Sequence, residues 1–467
     1  MNDAQPADAA QKQTISQKLA AFAHELKWED IPGSAKESAK HLILDGIGIA
    51  FASSAYDFAT VTFEALSRFG SGSGVAIGFK NRLPMRDAAL LNGVLIHGID
   101  YDDTHTVSVV HPTSSCLPTS LIAAELGLTG KDLLLAYILG VEVSARIGAV
   151  AKGELNQSGF HPTGLVAAFG AAVAAGKLYG LNAHEMTDAQ GIVLSMASGT
   201  REYSTEGAWT KRLHPGWAGV SGITAAVLAK SGFVAPTRAY EGTYGLYATH
   251  LGAKAASIDL SYATRALGRK WEVSEVAVKP YPCGQFGISC IDAAIALKIK
   301  HQFDSAEIES VEVAIPPHAV NIMLEPLAKR RRPHSSYSAQ FSIPFLVACA
   351  LTYDRLSPAE LELYEKPELL QLADRIGYRV DHATDYPRHF PCEMTVNLKD
   401  GRRIVHNEKI NRGSIDRPVS PAEIDRKYYD NMAALMPRSR AESIRDAVMR
   451  LDSTERARDF AVMLGAE

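Results

Sequence analysis

The sequence predicts a mainly α protein with an α+β insertion: a large all-helical domain built from both chain ends, plus a smaller α+β domain. Three observations carry this expectation. Apolar residues recur at helical spacing almost without a break from Thr14 to Gly268. From about residue 269 to 411 the texture changes to alternating strand-like runs mixed with helices. Beyond 412 the chain returns to helix, and this tail is expected to pack back onto the first domain. A chain of 467 residues also exceeds what one ordinary core organises, so two domains are the natural starting point.

In chain order, residues 1–13 have neither a basic start nor an apolar block and read as a disordered tail rather than a secretory signal. ISQKLAAFAHELKW and SAKESAKHLILDGIGIAFAS carry apolar residues at helical spacing, the second with Ser34 as a cap candidate. DAALLNGVLIHGIDYDD follows, and then SLIAAELGLTGKDLLLAYILGVEVSARIGAV, in which Gly127 to Gly130 separates two helices. GLVAAFGAAVAAGKLYG and WAGVSGITAAVLAKSG are crowded with alanine and glycine, which lets helix backbones approach closely. The first of these is the most apolar stretch, yet it falls short of the roughly 20 residues that cross a bilayer. In the second domain KWEVSEVAVK and IESVEVAIP alternate like strands. EMTVNLKDGRRIVHNE reads as a hairpin turning at Lys399-Asp400-Gly401-Arg402. Helical runs lie between them, and after Asp416-Arg417-Pro418 three amphipathic helices close the chain.

Composition narrows the function. Hydrophobic residues make up 46% and charged residues 21%, as in a folded globular protein, and the formal net charge of -4 draws the chain neither to nucleic acid nor to an anionic membrane. The five cysteines are scattered without CxxC spacing, which argues against a zinc site or a disulfide framework and for reduced thiols in the cytoplasm. GSGSGVAIG fits no phosphate-binding pattern, and there is no GxSxG elbow. The basic run Lys329 to Arg332 reads as a solvated face unless the substrate is a polycarboxylate that it steers.

The densest chemistry lies in HGIDYDDTHTVSVVHPTSSC, residues 97–116. If the helix from Asp87 continues through it, His97, Asp100 and Thr104 share one face, while Asp102, Asp103 and His105 point to the helix end or to solvent. Asp102, Asp103, His105 and His111 are legitimate metal ligands, but no second cluster at recognisable spacing completes a site, so no metal is expected. Three other stretches supply cations and bases. SGFHPTG places His161 at a helix entrance, where backbone N–H groups can hold an anion. GAWTKRLHPG brings Lys211, Arg212 and His214, and VKPYPCGQFG sets Lys279 and Tyr281 in a proline-rich turn. Together they suit an anionic substrate.

HGIDYDDTH resembles the HxxDFDDT signature of the MmgE/PrpD family, and SGFHPTG, TKRLHPG and KPYPCG are similar to further family blocks in the same order. The resemblance runs from about residue 15 to 450. It implies a large helical domain formed from both chain ends, a smaller α+β domain and a homodimer. Family members dehydrate 2-methylcitrate, decarboxylate cis-aconitate or epimerise iminodisuccinate without an organic cofactor. It also implies pocket roles for Asp100, Thr104, His111, His161, Lys211 and Lys279, with Tyr337 in PHSSYSAQ, and His105 stands where the family often has tryptophan. The expectation is therefore a cofactor-independent epimerase. It would take and return the proton α to a carboxylate of iminodisuccinate or a similar amino-dicarboxylate. His161, Lys211, Lys279, His111 and Asp100 are the expected catalytic groups, and Thr104, His105, Arg212, Tyr281 and Tyr337 the expected substrate contacts. The alternative is a lyase of the 2-methylcitrate dehydratase type acting on a tricarboxylate. A non-catalytic binding protein on the same fold is the third possibility.

Overall fold

Helices begin where the sequence supplies their caps. In the computed structural model, which describes residues 13–466, Thr14 accepts from the Gln17 backbone while Gln17 reaches back to Thr14 N at 2.9 Å. This capping box opens α1 (Ile15–Glu25). The expected tail at 1–13 lies outside the described residues except for its last position. The bundle continues through α2 (Gly33–Ser54), α3 (Asp57–Ser67), α4 (Met85–Ile96), α5 (Thr113–Ser120), α6 (Gly130–Val150), α7 (Pro162–Leu178), α8 (Ala183–Leu194) and α9 (Thr210–Lys230). Thr129 caps α6, so the glycine pair around it does separate two helical segments.

Small residues decide how these helices meet. A Cβ on Gly93 of α4 would lie 2.5 Å from the Gly216 Cα of α9, and one on Gly222 would meet the Ala171 backbone of α7 at 2.5 Å. Those two contacts set α9 directly against α4 and α7, which brings Lys211 and His214 beside the segment that leaves α4. Helix α6 is long and apolar enough to cross a membrane, yet its apolar window is wholly buried among its neighbours. It serves as a core helix and is a longer apolar span than α7, which the sequence had marked as the most apolar.

Beyond residue 280 come α10 (Gly287–His301), β1 (Ile308–Ile315), α11 (Ile343–Tyr353), α12 (Pro367–Asp374), β2 (Ile376–Val380), β3 (Cys392–Leu398) and β4 (Arg403–Glu408). The sheet order is β2-β1-β3-β4, with β1 parallel to β2 and the other pairs antiparallel. The β3–β4 hairpin turns at the expected tetrapeptide, where Gly401 takes a φ of 88°. The chain ends in α13 (Pro421–Met432), α14 (Arg438–Met449) and α15 (Ala457–Met463). Buried apolar residues form two clusters. Ile424, Tyr428, Ile444, Leu451 and Phe460 join the one that starts at Ile15, while Tyr281 to Ile404 make the other. The protein is thus mainly α with a small α+β part.

Two local expectations fail for physical reasons. KWEVSEVAVK is no strand: Glu272–Glu275 form a 3₁₀ turn, and only Ala277 pairs, in an isolated bridge to Thr104. Its alternation reflects a buried Glu272, which reaches His105, and a Val273 N–H donated to Glu142 at 3.0 Å. IGYRV, by contrast, forms β2, although the helical run SPAELELYEKPELLQLADRI leads straight into it. Its partner is the distant β1, which local periodicity does not show.

Candidate active site

Helix α4 stops at Ile96, with His97 as its C-cap, so the segment 97–104 is a loop and not a continuing helix. Asp100 lies in the left-handed region at φ 52°, a conformation that costs a non-glycine residue on the order of 1 kcal/mol or more. The loop keeps it because side chains from distant segments hold its carbonyls one after another. Arg212 Nε donates to Gly98 O at 2.5 Å, Gln340 Nε2 to Ile99 O at 2.7 Å and Lys279 Nζ to Asp100 O at 2.9 Å. Lys427 Nζ donates to Tyr101 O at 2.8 Å, and the His111 ring contacts Asp103 O at 2.8 Å. Buried carbonyls need such partners, and here they also fix the loop to four parts of the chain.

At the centre, the Asp100 carboxylate lies 2.9 Å from Lys211 Nζ and 2.8 Å from Lys279 Nζ, with all three residues buried. Burial alone would raise this carboxyl, but the two ammonium groups hold it well below the usual carboxylate range. Burial likewise opposes the charge on Lys211, yet Asp100 keeps that ammonium protonated, its pKa above the ordinary lysine value. One carboxylate facing two ammonium groups leaves an excess positive charge. The bridge between Thr104 and Ala277, at 2.8 and 2.9 Å, is what brings the Lys279 segment alongside.

Four imidazoles gather next to this triad. The rings of His97 and His111 are 4.8 Å apart, His97 and His161 5.5 Å, and His161 and His214 5.2 Å. His97 Nδ1 bonds Asp102 at 2.8 Å, His111 Nδ1 lies 3.2 Å from the Thr104 hydroxyl, and His161 Nδ1 meets His214 Nδ1 at 3.0 Å. The remaining Nε2 atoms of His97 and His161 are buried with no protein partner. Burial, reinforced by neighbouring lysine and imidazole charges, pushes His111 down to about 3 despite Asp102. It also holds His161 well below the usual histidine range and brings His214 to about 4. All three rings are therefore neutral near pH 7. A neutral imidazole with an unpartnered Nε2 can donate or accept a proton there.

Of the ten side chains singled out in the sequence, six converge here: Asp100, Lys211, Lys279, His111, His161 and Thr104. Arg212 stacks its guanidinium 4.5 Å over Phe58 and 4.8 Å over Tyr337. Both Arg212 and Tyr337 line a cleft of about 1170 Å³, whereas Lys211 and the histidines do not. Tyr281 also lines that cleft, but its hydroxyl donates to Asp292 at 2.7 Å under the Arg412 guanidinium. His105 does not join the site. Its nitrogens contact Ser108 at 2.9 Å and Glu272 at 3.2 Å, in a buried ionic group with Arg146 and Glu142. Nor do Asp102 and Asp103 reach solvent: both are buried, and Asp103 is held by Thr113 through its backbone N–H at 3.3 Å and its hydroxyl at 2.5 Å. Sequence reasoning passed over His97 and Asp102 as functional groups, and it noted His214 without using it. Lys427 and Gln340 had no signal at all.

Two groups have metal-ligand spacing among the described residues, His97–His111–His161 and His97–Asp100–Asp102. In the second, Asp100 and Asp102 already bind lysine and histidine partners. In the first, a dication would sit against the Lys211 and Lys279 ammonium groups. Those charges favour an anion instead, and a carboxylate satisfies both them and the unpartnered Nε2 atoms.

Residues 17–259 match the family model for the MmgE/PrpD N-terminal domain, and residues 281–453 match that for the MmgE/PrpD C-terminal domain. The cis-aconitate decarboxylase-like protein oryM of Aspergillus oryzae is 25% identical over 483 residues, covering 98% of this chain and 99% of its own length. The cis-aconitate decarboxylase of Aspergillus terreus is 26% identical, covering 96% and 95%. That of Mus musculus is 27% identical, covering 95% and 91%.

Proposed function

Because the chain belongs to the MmgE/PrpD family, we propose that it is a lyase that decarboxylates cis-aconitate or a close unsaturated tricarboxylate. The observation that carries this reading is the buried Lys211–Asp100–Lys279 triad, set against buried histidines of which His97 and His161 have unpartnered Nε2 atoms. Losing CO2 from the methylene carboxylate of cis-aconitate pushes an electron pair through the double bond onto the carbon that bears another carboxylate. The charge spreads over that carboxylate as an aci-dianion. Fixed cations stabilise it most where water is excluded, and Lys211 and Lys279 are such cations. One proton then completes the product, a methylene dicarboxylate. His161, buried and neutral, is the donor that fits this task, with His97 and His111 beside it.

The epimerase expectation has less support. It calls for acid/base groups on both faces of the substrate, one of them a lysine. Here Lys211 is locked as an ammonium by Asp100, and Lys279 is engaged by the Asp100 carboxylate and carbonyl. An ammonium so held stabilises charge but is a poor base. Decarboxylation needs only a single delivered proton, and the relatives that span nearly the whole chain carry that activity in their names. The test is a panel of cis-aconitate, 2-methylcitrate and iminodisuccinate, each followed for CO2 release, unsaturation and change of configuration. CO2 from cis-aconitate alone supports the proposal, and silence there with turnover of either other compound replaces it.

A homodimer is part of the same reading. Leu213, Trp217 and Val227 lie on one face of α9 and are 42%, 43% and 42% exposed, an apolar stripe unusual on a free helix. Trp217→Glu is expected to convert a dimer into a species of one 50.4 kDa chain by light scattering. A monomeric wild type, or a dimeric variant, contradicts this assignment.

A further inference from the structure

The proton delivered at the site has to be replaced from solvent at every turnover, and His161 has no nitrogen open to water with which to collect it: Nε2 is buried and Nδ1 faces His214. His97, His111 and His161 are buried at 1%, 9% and 3% exposure, whereas His214 is only partly buried. His214 Nδ1 is 3.0 Å from His161 Nδ1, and the far side of the His161 ring carries the unpartnered Nε2. The backbone is shaped around this second ring. A Cβ on Gly164 would lie 2.9 Å from the His214 Cβ, and one on Gly199 would come within 3.3 Å of His214 Nδ1, so both positions leave room that any side chain would fill. The Tyr203 ring lies edge-on to both, 5.9 Å from His214 and 5.8 Å from His161.

We infer that His214 is a proton relay that recharges His161 from solvent. This rests on the lyase reading for the identity of the reaction that consumes the proton. In the charged-up state His161 carries its proton on Nε2 and accepts at Nδ1 from His214 Nδ1–H. When the substrate carbanion takes the Nε2 proton, the His214 Nδ1 proton moves to His161 Nδ1. His214 Nε2 then takes a proton from water. Both rings begin and end neutral with their tautomers inverted, and the pair has taken up one solvent proton for the one given to carbon. Once product leaves, proton exchange with the water that enters the site returns each ring to its starting tautomer and resets the pair. A neutral pair suits this exchange because neither ring has to bury a cation in a field already made positive by Lys211.

Two variants separate relaying from positioning. Asparagine at 214 can still hydrogen-bond His161 Nδ1 but cannot pass a proton through. Alanine leaves a space that a free imidazole molecule can enter. Both His214→Asn and His214→Ala are expected to lose about 10²-fold in kcat, the typical share of general acid–base catalysis, with KM changed little. Added imidazole is expected to restore His214→Ala in a saturable way and to leave the wild type unaffected. Full activity in His214→Asn overturns the relay, as does a loss in His214→Ala that imidazole does not relieve. If alanine unfolds the chain, the asparagine variant decides alone. If the wild type releases no CO2 from cis-aconitate, the lyase reading fails separately. The relay is then read from ¹⁵N-histidine spectra of the full chain, where a proton shared between the two Nδ1 atoms supports it and separate solvent-exchanging tautomers overturn it.

Discussion

Lys211→Met is expected to lower kcat for decarboxylation by two to three orders of magnitude while the protein stays folded. The side chain keeps most of its apolar stem, so packing within α9 changes little. What disappears is one of two fixed cations facing the carboxylate on which charge collects. Removing a single preorganised donor of this kind typically costs about 3–4 kcal/mol of transition-state stabilisation. The effect should exceed any rise in KM, because the interaction strengthens as charge builds up. Lys211→Arg should recover little, since the planar guanidinium cannot reproduce a point charge 2.9 Å from Asp100 in a buried space. Steady-state rates of CO2 release, with the melting temperature as a control for folding, check the prediction. A loss below about threefold would remove Lys211 from the chemistry.

Asp100→Asn is expected to damage stability as well as turnover. The carboxylate neutralises two buried ammonium groups, and an amide cannot. Breaking a buried pair by removing one partner costs about 3–5 kcal/mol, and here two cations are left facing each other. The pH dependence follows from the depressed carboxyl. A folded-state pKa below the unfolded value of about 3.9 stabilises the native state fully above that pH and loses this contribution as pH falls through the folded value. Urea midpoints of wild type and variant should therefore differ by a constant amount from pH 5 to 8, and the gap should close only in strong acid. A gap that closed between pH 5 and 8 would mean that Asp100 is not the anion of the triad.

The architecture was legible because its signals are local. Helical spacing and the turn at Gly401 each act within a few residues and form as expected, whereas the cap candidate Ser34 lies inside α2, where Pro32 holds the cap position. The site was legible by residue type and, through the family resemblance, by position. Its assembly was not. That Lys211 meets Asp100 depends on Gly93 and Gly216 letting two helices touch, and no periodicity reports such a contact. The carbonyl clamps of Lys427, Gln340 and Arg212 are invisible for a related reason: a backbone oxygen carries no sequence signature. His105 shows the opposite failure. Its type and neighbourhood suggested chemistry, but its partner Glu272 lies 167 residues away and holds it in a buried structural contact. Asp100 breaks the local rule most openly, as a non-glycine residue at positive φ, and that is where the two lysines converge.

The most direct test of the central claim is a proton and carbon NMR time course of the purified enzyme with cis-aconitate in D2O. The account predicts loss of one carbon as CO2, new vinylidene signals and a single deuterium on the saturated carbon α to a carboxylate. An unchanged tricarboxylate, or deuterium exchange with the carbon skeleton intact, would contradict it.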